Sequence, residues 1–273
     1  MKVVDLEAGG FTAARARNAG YRRLREMRPD LTFILFVDGD CDVESEWPAH
    51  AVAFLKAHAD VGAVAGRRRE RYPERSVYNW LCDREWDTAC GETRAVGGDS
   101  VMRMAAINSV GGFRDDLIAG EEPELCVRMR AKGWRIWRLD QPMTIHDAAM
   151  TRFAQWWRRS VRAGYAFAQG AHLHGRGPDR HWLWESRRAW IWGVALPVAC
   201  ILCGYIFFPW GFALMLIYPL QVARQYFGNT GSTRDRAAIA FFQTLARFPE
   251  AVGQIKFLYD RIVHRPSALI EYK

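Results

Sequence analysis

Cysteine is scarce in this sequence, and the few present suggest no disulfide framework. The six are scattered, at Cys41, Cys82, Cys90, Cys126, Cys200 and Cys203. The first residues also lack the basic, apolar and small-residue order of a secretion signal. Both absences argue against a disulfide-stapled secreted protein and favour a reducing, cytosolic compartment. Cys200 and Cys203 form a CxxC pair, but reactive thiols need more polar surroundings than this apolar run provides.

Internal repeats and low-complexity linkers are also missing from the 273 residues. With 50% hydrophobic and 25% charged residues, the composition is that of a folded chain of one or two domains. Acidic residues number 30 against 38 lysines and arginines, for a net charge of +8. Such an excess suits nucleic acid, phosphorylated substrates or an anionic membrane face. Because no nucleic-acid-binding motif accompanies the arginines, we expect no nucleic-acid partner.

Charge is absent altogether from residues 189–223, a run of 35 residues. A single membrane-spanning helix needs about 20 apolar residues. The run therefore predicts a membrane hairpin with arms 189–208 and 210–223, broken at Pro209. A buried pair of core helices is the alternative, although core helices rarely stay uncharged for so long.

The flanks of this run are basic. Residues 151–188 contain eight arginines against two acidic residues, a bias typical of the cytoplasmic side of a membrane. The tail, residues 224–273, includes an amphipathic stretch over 237–263, interrupted by Pro249, that suits an interfacial helix pair. We therefore expect the protein at the cytoplasmic face of the inner (plasma) membrane.

Residues 1–150 alternate short apolar strands with helix-like stretches, which predicts an α/β domain. The cluster Arg67–Arg71 is predicted to be a solvated loop. The predicted helices are Ala13–Met27 and Ala49–His58, and the predicted strands are Thr32–Val37, Val61–Ala65, Ser100–Met104 and Trp134–Leu139.

Asp38 and Asp40 come directly after the apolar strand Thr32–Val37. Carboxylates in this position suit Mg²⁺ or Mn²⁺, which complete their coordination with substrate phosphates. The carboxyl ends of strands are also where open α/β sheets bind ligands. An acidic β-turn is the alternative, because Asp-Gly is common in turns. His146, expected after a turn at Gln141-Pro142, could add a neutral imidazole, although a lone histidine is more often structural.

Acidic residues also precede a predicted helix of about ten residues. Pro123 at its first position and Gly133 beyond its end place Glu122 at the N-cap, with Glu121 just outside. The helix dipole favours an ionised carboxylate there, whereas a dry site favours a protonated one. A general base needs this balance. The alternative is that these residues only cap the helix.

Aromatic residues and arginines lie together in the helical stretch Phe153–Gln169, which includes Gln155–Arg159. Side chains such as Trp157 and Arg158 suit a membrane interface, where an apolar stem and a charged end are both accommodated. They also suit a sugar site, in which tryptophan stacks on the ring and arginine holds a phosphate.

Taken in order, these motifs resemble glycosyltransferase family 2 of the GT-A fold, over roughly residues 8–170. The Gln155–Arg159 run is similar to the QxxRW motif of processive members, with Arg159 where tryptophan is usual. The matching segments are Ala14–Gly20, Asp38–Asp40, Gly97–Asp99, Gly111–Phe113, Gly120–Leu125 and His146.

The resemblance implies a metal-dependent, inverting transfer of a sugar from a nucleotide diphosphate to a saccharide or a lipid-linked acceptor, in bacterial polysaccharide assembly. Its implied metal is Mn²⁺ or Mg²⁺, and Glu122 stands where the family has a catalytic aspartate. The implied metal ligands are Asp38, Asp40 and His146, the donor-binding residues are Arg17, Asn18 and Asp38, and the acceptor-binding residues are Gly98, Asp99, Glu121, Trp157 and Arg158.

Members of this family usually begin with two further strands, whereas this chain begins at what corresponds to the third, Lys2–Leu6. We therefore expect an N-terminally truncated GT-A domain, through a misplaced start, a fragment or a loss of donor binding. Transfer to a polyprenyl phosphate, with Arg158, Arg159 and Arg162 holding the lipid, is a second hypothesis. An inactive membrane scaffold is a third.

Overall fold

The computed structural model describes Val4 and residues 12–265, and these divide into two compact units. The first unit ends at Arg152 and the second extends from Phe153 to Arg265. The domain boundaries predicted at 150, 188 and 223 stay predictions. The strand expected over Lys2–Leu6 lies, apart from Val4, outside the described residues.

The first unit is mixed α/β, as the alternating pattern predicts. Its first helix begins at Ala13 because the Thr12 hydroxyl accepts a hydrogen bond from the Arg15 N–H, which caps the helix. The helices are α1 Ala13–Met27, α2 Trp47–Ala57, α3 Val77–Trp86, α4 Met104–Val110 and α5 Glu121–Ala131, with a 3₁₀ turn at Pro73–Arg75. The strands are β1 Phe33–Phe36, β2 Cys41–Val43, β3 Val61–Glu70, β4 Gly91–Glu92, β5 Ser100–Arg103 and β6 Arg135–His146.

Five of the strands lie in the order β1-β5-β3-β6-β2, and β4 pairs with β6. Strands β3 and β6 are parallel, whereas the other pairs are antiparallel. Helices and sheet enclose a core that includes the fully buried Trp47, Leu55, Met102 and Ile136. Burial of each side chain of this size stabilises the fold by about 1.5–3 kcal/mol.

Strand pairing brings distant polar residues to one edge of the sheet. The β2–β6 register sets Cys41 opposite His146, so Asp40 lies beside the imidazole. The parallel β3–β6 register sets Glu70 opposite His146 as well. The β1–β5 register sets Phe36 opposite Ser100, which places the residues just beyond each strand end close together.

Two local predictions are wrong at this edge. Most of the predicted loop Arg67–Arg71 belongs to strand β3, which extends to Glu70 because it stays paired with β6. The turn predicted at Gln141-Pro142 is absent, since β6 runs unbroken from Arg135 to His146. Opposite this part of β6, the β3–β6 pairing has register shifts between Ala65 and Arg68, so the chain bulges there without leaving the sheet.

The predicted N-cap at Glu122 is also wrong, because helix α5 begins at Glu121 and its cap is Gly120. Gly120 has φ 79°, a left-handed conformation that glycine adopts without steric cost. Pro123 is tolerated at the third helical position, since the first four N–H groups of a helix have no intrahelical partner. Gly133 follows the helix end, as predicted.

The second unit is helical within its described residues. Segments 183–190, 191–195 and 196–206 run on as one helix, Leu183–Ile206. By length and composition alone this helix could cross a membrane, since an 18-residue window of it has a mean hydropathy of 1.9. The second arm predicted over 210–223 consists of a 3₁₀ segment and most of a helix, and the membrane hairpin stays a prediction. The elements are α6 Phe153–His174, α7 Leu183–Trp190, the π-helical Ile191–Ala195, α8 Leu196–Ile206, the 3₁₀ segment Trp210–Leu216, α9 Ile217–Gly228, α10 Thr233–Leu245 and α11 Arg247–Ile262.

Candidate active site

The Arg17 guanidinium joins three carboxylates of the first unit. It donates to Asp38 Oδ1 at 2.5 Å and to Glu121 Oε1 at 2.6 Å, and it forms an ion pair with Glu122. Helix α1 supplies the arginine, the end of β1 supplies Asp38, and the first turn of α5 supplies both glutamates. The predicted donor-side residues Arg17 and Asp38 and the predicted base Glu122 therefore lie at one place.

Arg17 faces three carboxylates, and of these only Asp38 also pairs, among the described residues, with a second arginine, Arg68. Burial raises the pKa of Glu122 to about 8. The positive charge of Arg17 opposes this shift, whereas the negative charges of Glu121 and Asp38 add to it. Burial also acts to raise the pKa of Asp38, but Arg17 and Arg68 outweigh it and the pKa is lowered. Asp38 is thus held as an anion, and Glu122 is poised to exchange a proton near neutral pH.

Asp40 and His146 form a second group at the same edge. Asp40 Oδ1 lies 3.3 Å from His146 Nε2, and the Cys41 thiol lies within 4.8 Å of both. Adjacent ligands of an octahedral ion with bonds of about 2.1 Å are about 3 Å apart, so the oxygen and nitrogen fit one divalent cation. Asp40 keeps 39% of its side chain exposed, which leaves access for a ligand. The donor set therefore fits the predicted Mn²⁺ or Mg²⁺.

The buried Glu70 and the partly buried Trp86 lie next to the imidazole of His146. The Glu70 carboxylate lies 3.8 Å from His146 Nδ1, and the edge of Trp86 packs on the ring. Glu70 itself accepts hydrogen bonds from the Asn79 side chain and from the Ala148 N–H. At 3.8 Å the Glu70 carboxylate is too far from Nδ1 for a hydrogen bond, so Glu70 contributes a nearby carboxylate behind the ring rather than a direct bond to it.

Asp99 is fully buried behind Asp38. Its carboxylate accepts hydrogen bonds from the Asp38 N–H at 2.8 Å, from Arg68 Nε at 3.0 Å and from the Thr144 hydroxyl at 2.7 Å. Arg68 also pairs with Asp38 Oδ2 at 3.1 Å. In this structure Asp99 thus fixes the backbone that carries Asp38, and its predicted contact with an acceptor stays a prediction.

Asn18 is likewise turned inward. Its amide donates to the Phe113 carbonyl at 2.8 Å and accepts from the Phe113 N–H at 2.9 Å, which ties helix α1 to the turn before α5. Direct contact of Asn18 with a donor stays a prediction. Trp157 and Arg158 lie on α6 in the second unit, where Trp157 is half-buried and Arg158 is exposed. Their acceptor roles also stay predictions.

Three residues of the site were missed from sequence. Arg68 and Glu70 are less exposed than Arg67 and Arg69, as expected if the strand continues into the charged cluster and alternate side chains face inward. Cys41 lies in both groups of side chains whose geometry could hold a metal, one with Asp40 and His146 and one with Asp38 and Asp99. Burial raises the pKa of Cys41, so it is a neutral thiol here.

No protein-family model matches this chain, and no curated protein matches its sequence. Among solved structures, it is similar to the mannosyltransferase PcManGT from Pyrobaculum calidifontis in complex with GDP-Man and Mn²⁺, with TM-score 0.52 and 18% identity over 92% of this chain and 67% of that one. It also matches S. aureus TarS, with TM-score 0.43 and 12% identity over 90% of this chain and 43% of that one. The first likeness is one of fold. The chain therefore has a glycosyltransferase fold.

Proposed function

We propose that this chain is a metal-dependent, inverting glycosyltransferase of family 2, which moves a sugar from a nucleotide diphosphate to a saccharide or lipid-linked acceptor. The observation that carries the proposal is the meeting of Asp38, Asp40, His146 and Glu122 at one edge of the sheet. Arg17 links Asp38 to Glu122, and strand pairing sets Asp40 beside His146. The proposed metal ligands and the proposed proton acceptor would therefore serve the same reaction.

Asp40 and His146 are the proposed metal ligands, with Cys41 close by. The metal, when bound, neutralises the charge that develops on the departing nucleotide diphosphate. Mn²⁺ is favoured, because a mixed oxygen and nitrogen donor set suits it better than Mg²⁺. PcManGT, which shares the fold, is described in complex with GDP-Man and Mn²⁺. Asp38 is the weaker candidate ligand, since both of its oxygens already face arginines.

Glu122 is the proposed general base. It takes the proton from the acceptor hydroxyl while that oxygen bonds to the anomeric carbon and the bond from this carbon to the diphosphate oxygen breaks. Attack from the face opposite the leaving group inverts the anomeric configuration. Burial raises the pKa of Glu122, which makes the carboxylate a stronger proton acceptor than an exposed glutamate.

Arg17 is the proposed contact to the donor diphosphate. Its guanidinium is largely buried yet shared among three carboxylates, so a phosphate can replace one of them without leaving the arginine unpaired. Glu121 and Gly98 are proposed on the acceptor side. The location at the cytoplasmic face of the inner membrane also belongs to the proposal, and it rests on the basic flank 151–188 of the uncharged run.

The test uses the full chain in detergent. Isothermal titration calorimetry with GDP and UDP, each with and without Mn²⁺, should detect binding that needs the metal. Incubation with the nucleotide sugar that binds best should then give a product whose anomeric configuration, measured by NMR, is opposite to that of the donor. Silence with every nucleotide diphosphate would favour the inactive scaffold, and retention of configuration would rule out the mechanism. A lipid-extractable monophosphate sugar as the product would favour polyprenyl phosphate as the acceptor.

Gly98→Ala should lower kcat/KM by about 10²-fold, the effect of a misplacement of about 1 Å. A Cβ atom at residue 98 would lie 2.7 Å from Asp38 Oδ1 and 2.8 Å from Arg17 Nη2, and closer still to Asp38 Oδ2. Asp38 and Arg17 must therefore separate. Gly97→Ala is the matched control, because its Cβ would meet nothing within 4 Å. Transfer kinetics of both variants measure the difference, and equal rates would argue against the role of the Arg17–Asp38 pair.

A further inference from the structure

The second unit contains a cavity of about 280 Å³ that the proposed function does not use. Three arginines line it, Arg188, Arg224 and Arg247, together with Trp184, Trp192 and Gln225 among others. Trp184, Arg188 and Trp192 follow one another at four-residue spacing, so one face of the helix Leu183–Ile206 supplies all three.

The cavity carries an excess of positive charge. Arg247 pairs with Glu250 at 2.6 Å. Among the residues that the structure describes, the side chains of Arg188 and Arg224 form no hydrogen bond or ion pair. Arginines brought together without matching acids repel one another, and an anion bound among them would relieve this repulsion. Guanidinium groups bind phosphate oxygens through paired N–H donors, so the cavity suits a phosphate group.

The position of the arginines in the chain indicates where this phosphate comes from. Arg188 is the last charge before the uncharged run 189–223, and Arg224 is the first charge after it. The fold returns the two ends of that run to the same cavity. Much of the surface between them is apolar and exposed, including Tyr205 at 87% and Trp210 at 82%. If this surface lies in lipid, the cavity lies at the level of the headgroups, where tryptophan and arginine are both favoured.

We propose that this cavity binds the terminal phosphate of a membrane lipid whose chains lie along the exposed apolar surface. Its volume is at the small end of the range of about 300–1,000 Å³ for ligand pockets, which suits a bare phosphate better than a large headgroup. Hydrogen bonds hold its walls in place, from Gln225 to Thr244 at 3.2 Å and from Tyr218 to the Trp192 carbonyl at 2.7 Å. The lining of this cavity includes none of the residues proposed above as metal ligands, general base or donor contact, so the two proposals can fail separately.

Vesicle flotation of the full chain tests the proposal. Phosphatidylcholine vesicles containing phosphatidic acid, which has a terminal phosphate, are compared with vesicles containing phosphatidylglycerol at equal surface potential. The wild type should prefer phosphatidic acid. Arg188→Gln and Arg224→Gln should each lower the affinity for these vesicles by about tenfold, the effect of losing one charged hydrogen bond. Circular dichroism and nucleotide binding check that each variant is folded.

Arg187→Gln is the matched control. It also removes one positive charge, but Arg187 is the residue next to Arg188 in the chain, is exposed and does not line the cavity. It should leave the preference for phosphatidic acid unchanged. An equal loss in Arg187→Gln would show only a general attraction to anionic membranes and overturn the proposal. Inorganic phosphate, added at the same concentration as the lipid, should not release the protein from the vesicles. Release would mean that the cavity binds free phosphate rather than a lipid phosphate, and would overturn the proposal.

Discussion

Glu122→Gln should leave binding of nucleotide diphosphate and Mn²⁺ unchanged while kcat for sugar transfer falls by about 10²–10⁴-fold, the usual contribution of a general base. Glutamine has nearly the same shape as glutamate but cannot take the proton of the acceptor hydroxyl. The proposed metal ligands should be untouched, since Glu122 pairs with Arg17 whereas Asp40 lies beside His146. Stopped-time transfer assays and calorimetry on the same preparation measure both quantities.

Glu121→Gln is the control for this variant. Both glutamates are buried in the first turn of α5 and both contact Arg17, so each change removes one negative charge from the same cluster. If Glu122 is the base, Glu121→Gln should lower kcat far less than Glu122→Gln, and its proposed position on the acceptor side should show as a higher KM for the acceptor. Equal losses in the two variants would mean that the net charge around Arg17, rather than a base, governs the rate.

The pH dependence of stability provides a second control. Burial raises the pKa of Glu122 from 4.5 to about 8, so between these values the folded protein holds a proton that the unfolded chain releases. The free energy of unfolding therefore falls as pH rises through this window. Glu122→Gln has no such proton to lose. The Tm of the variant minus the Tm of the wild type should therefore increase from pH 5 to pH 8. A constant difference in Tm would show that the pKa of Glu122 is not raised.

The parts of the fold that could be predicted from sequence are those with local signals. The apolar run before Asp38 predicts a buried strand, and the structure has one at Phe33–Phe36. Capping by Thr12 and the positive φ of Gly133 mark helix ends that can be located without tertiary contacts. The proximity of Asp38, Asp40 and Glu122 needed more, namely the resemblance to a known family, because residues far apart in sequence meet there.

The parts that could not be predicted depend on pairing between distant strands. A run of arginines has no intrinsic preference for a strand, yet Arg68 lies in β3 because β6 pairs beside it and because Asp99 and Asp38 neutralise its charge. The position of Glu70 could not be predicted for the same reason, since only the β3–β6 register sets it beside His146. Sequence periodicity indicates which residues share a face of one strand, but not which strand lies next to it.

Asp40→Asn should lower the affinity for Mn²⁺ by more than about 100-fold. Loss of a partner that only supports a metal ligand costs roughly 10–100-fold, and this change removes the charge of a proposed direct ligand. Asparagine keeps one oxygen of the side chain but not its charge, and a divalent cation binds an uncharged amide far less tightly. Electron paramagnetic resonance of free Mn²⁺ measures this affinity without any substrate. Metal-dependent binding of nucleotide diphosphate should be lost in parallel.

Asp42→Asn is the matched control for Asp40→Asn. Asp42 lies two residues away on β2, is 70% exposed and pairs with Arg71 at the surface, so its loss should change Mn²⁺ binding little. His146→Ala should resemble Asp40→Asn, because the two side chains are only 3.3 Å apart and would share the ion. If Asp40→Asn and Asp42→Asn bind Mn²⁺ equally well, the metal lies elsewhere. The second possible cluster, Asp38 with Cys41 and Asp99, would then be tested by Asp38→Asn.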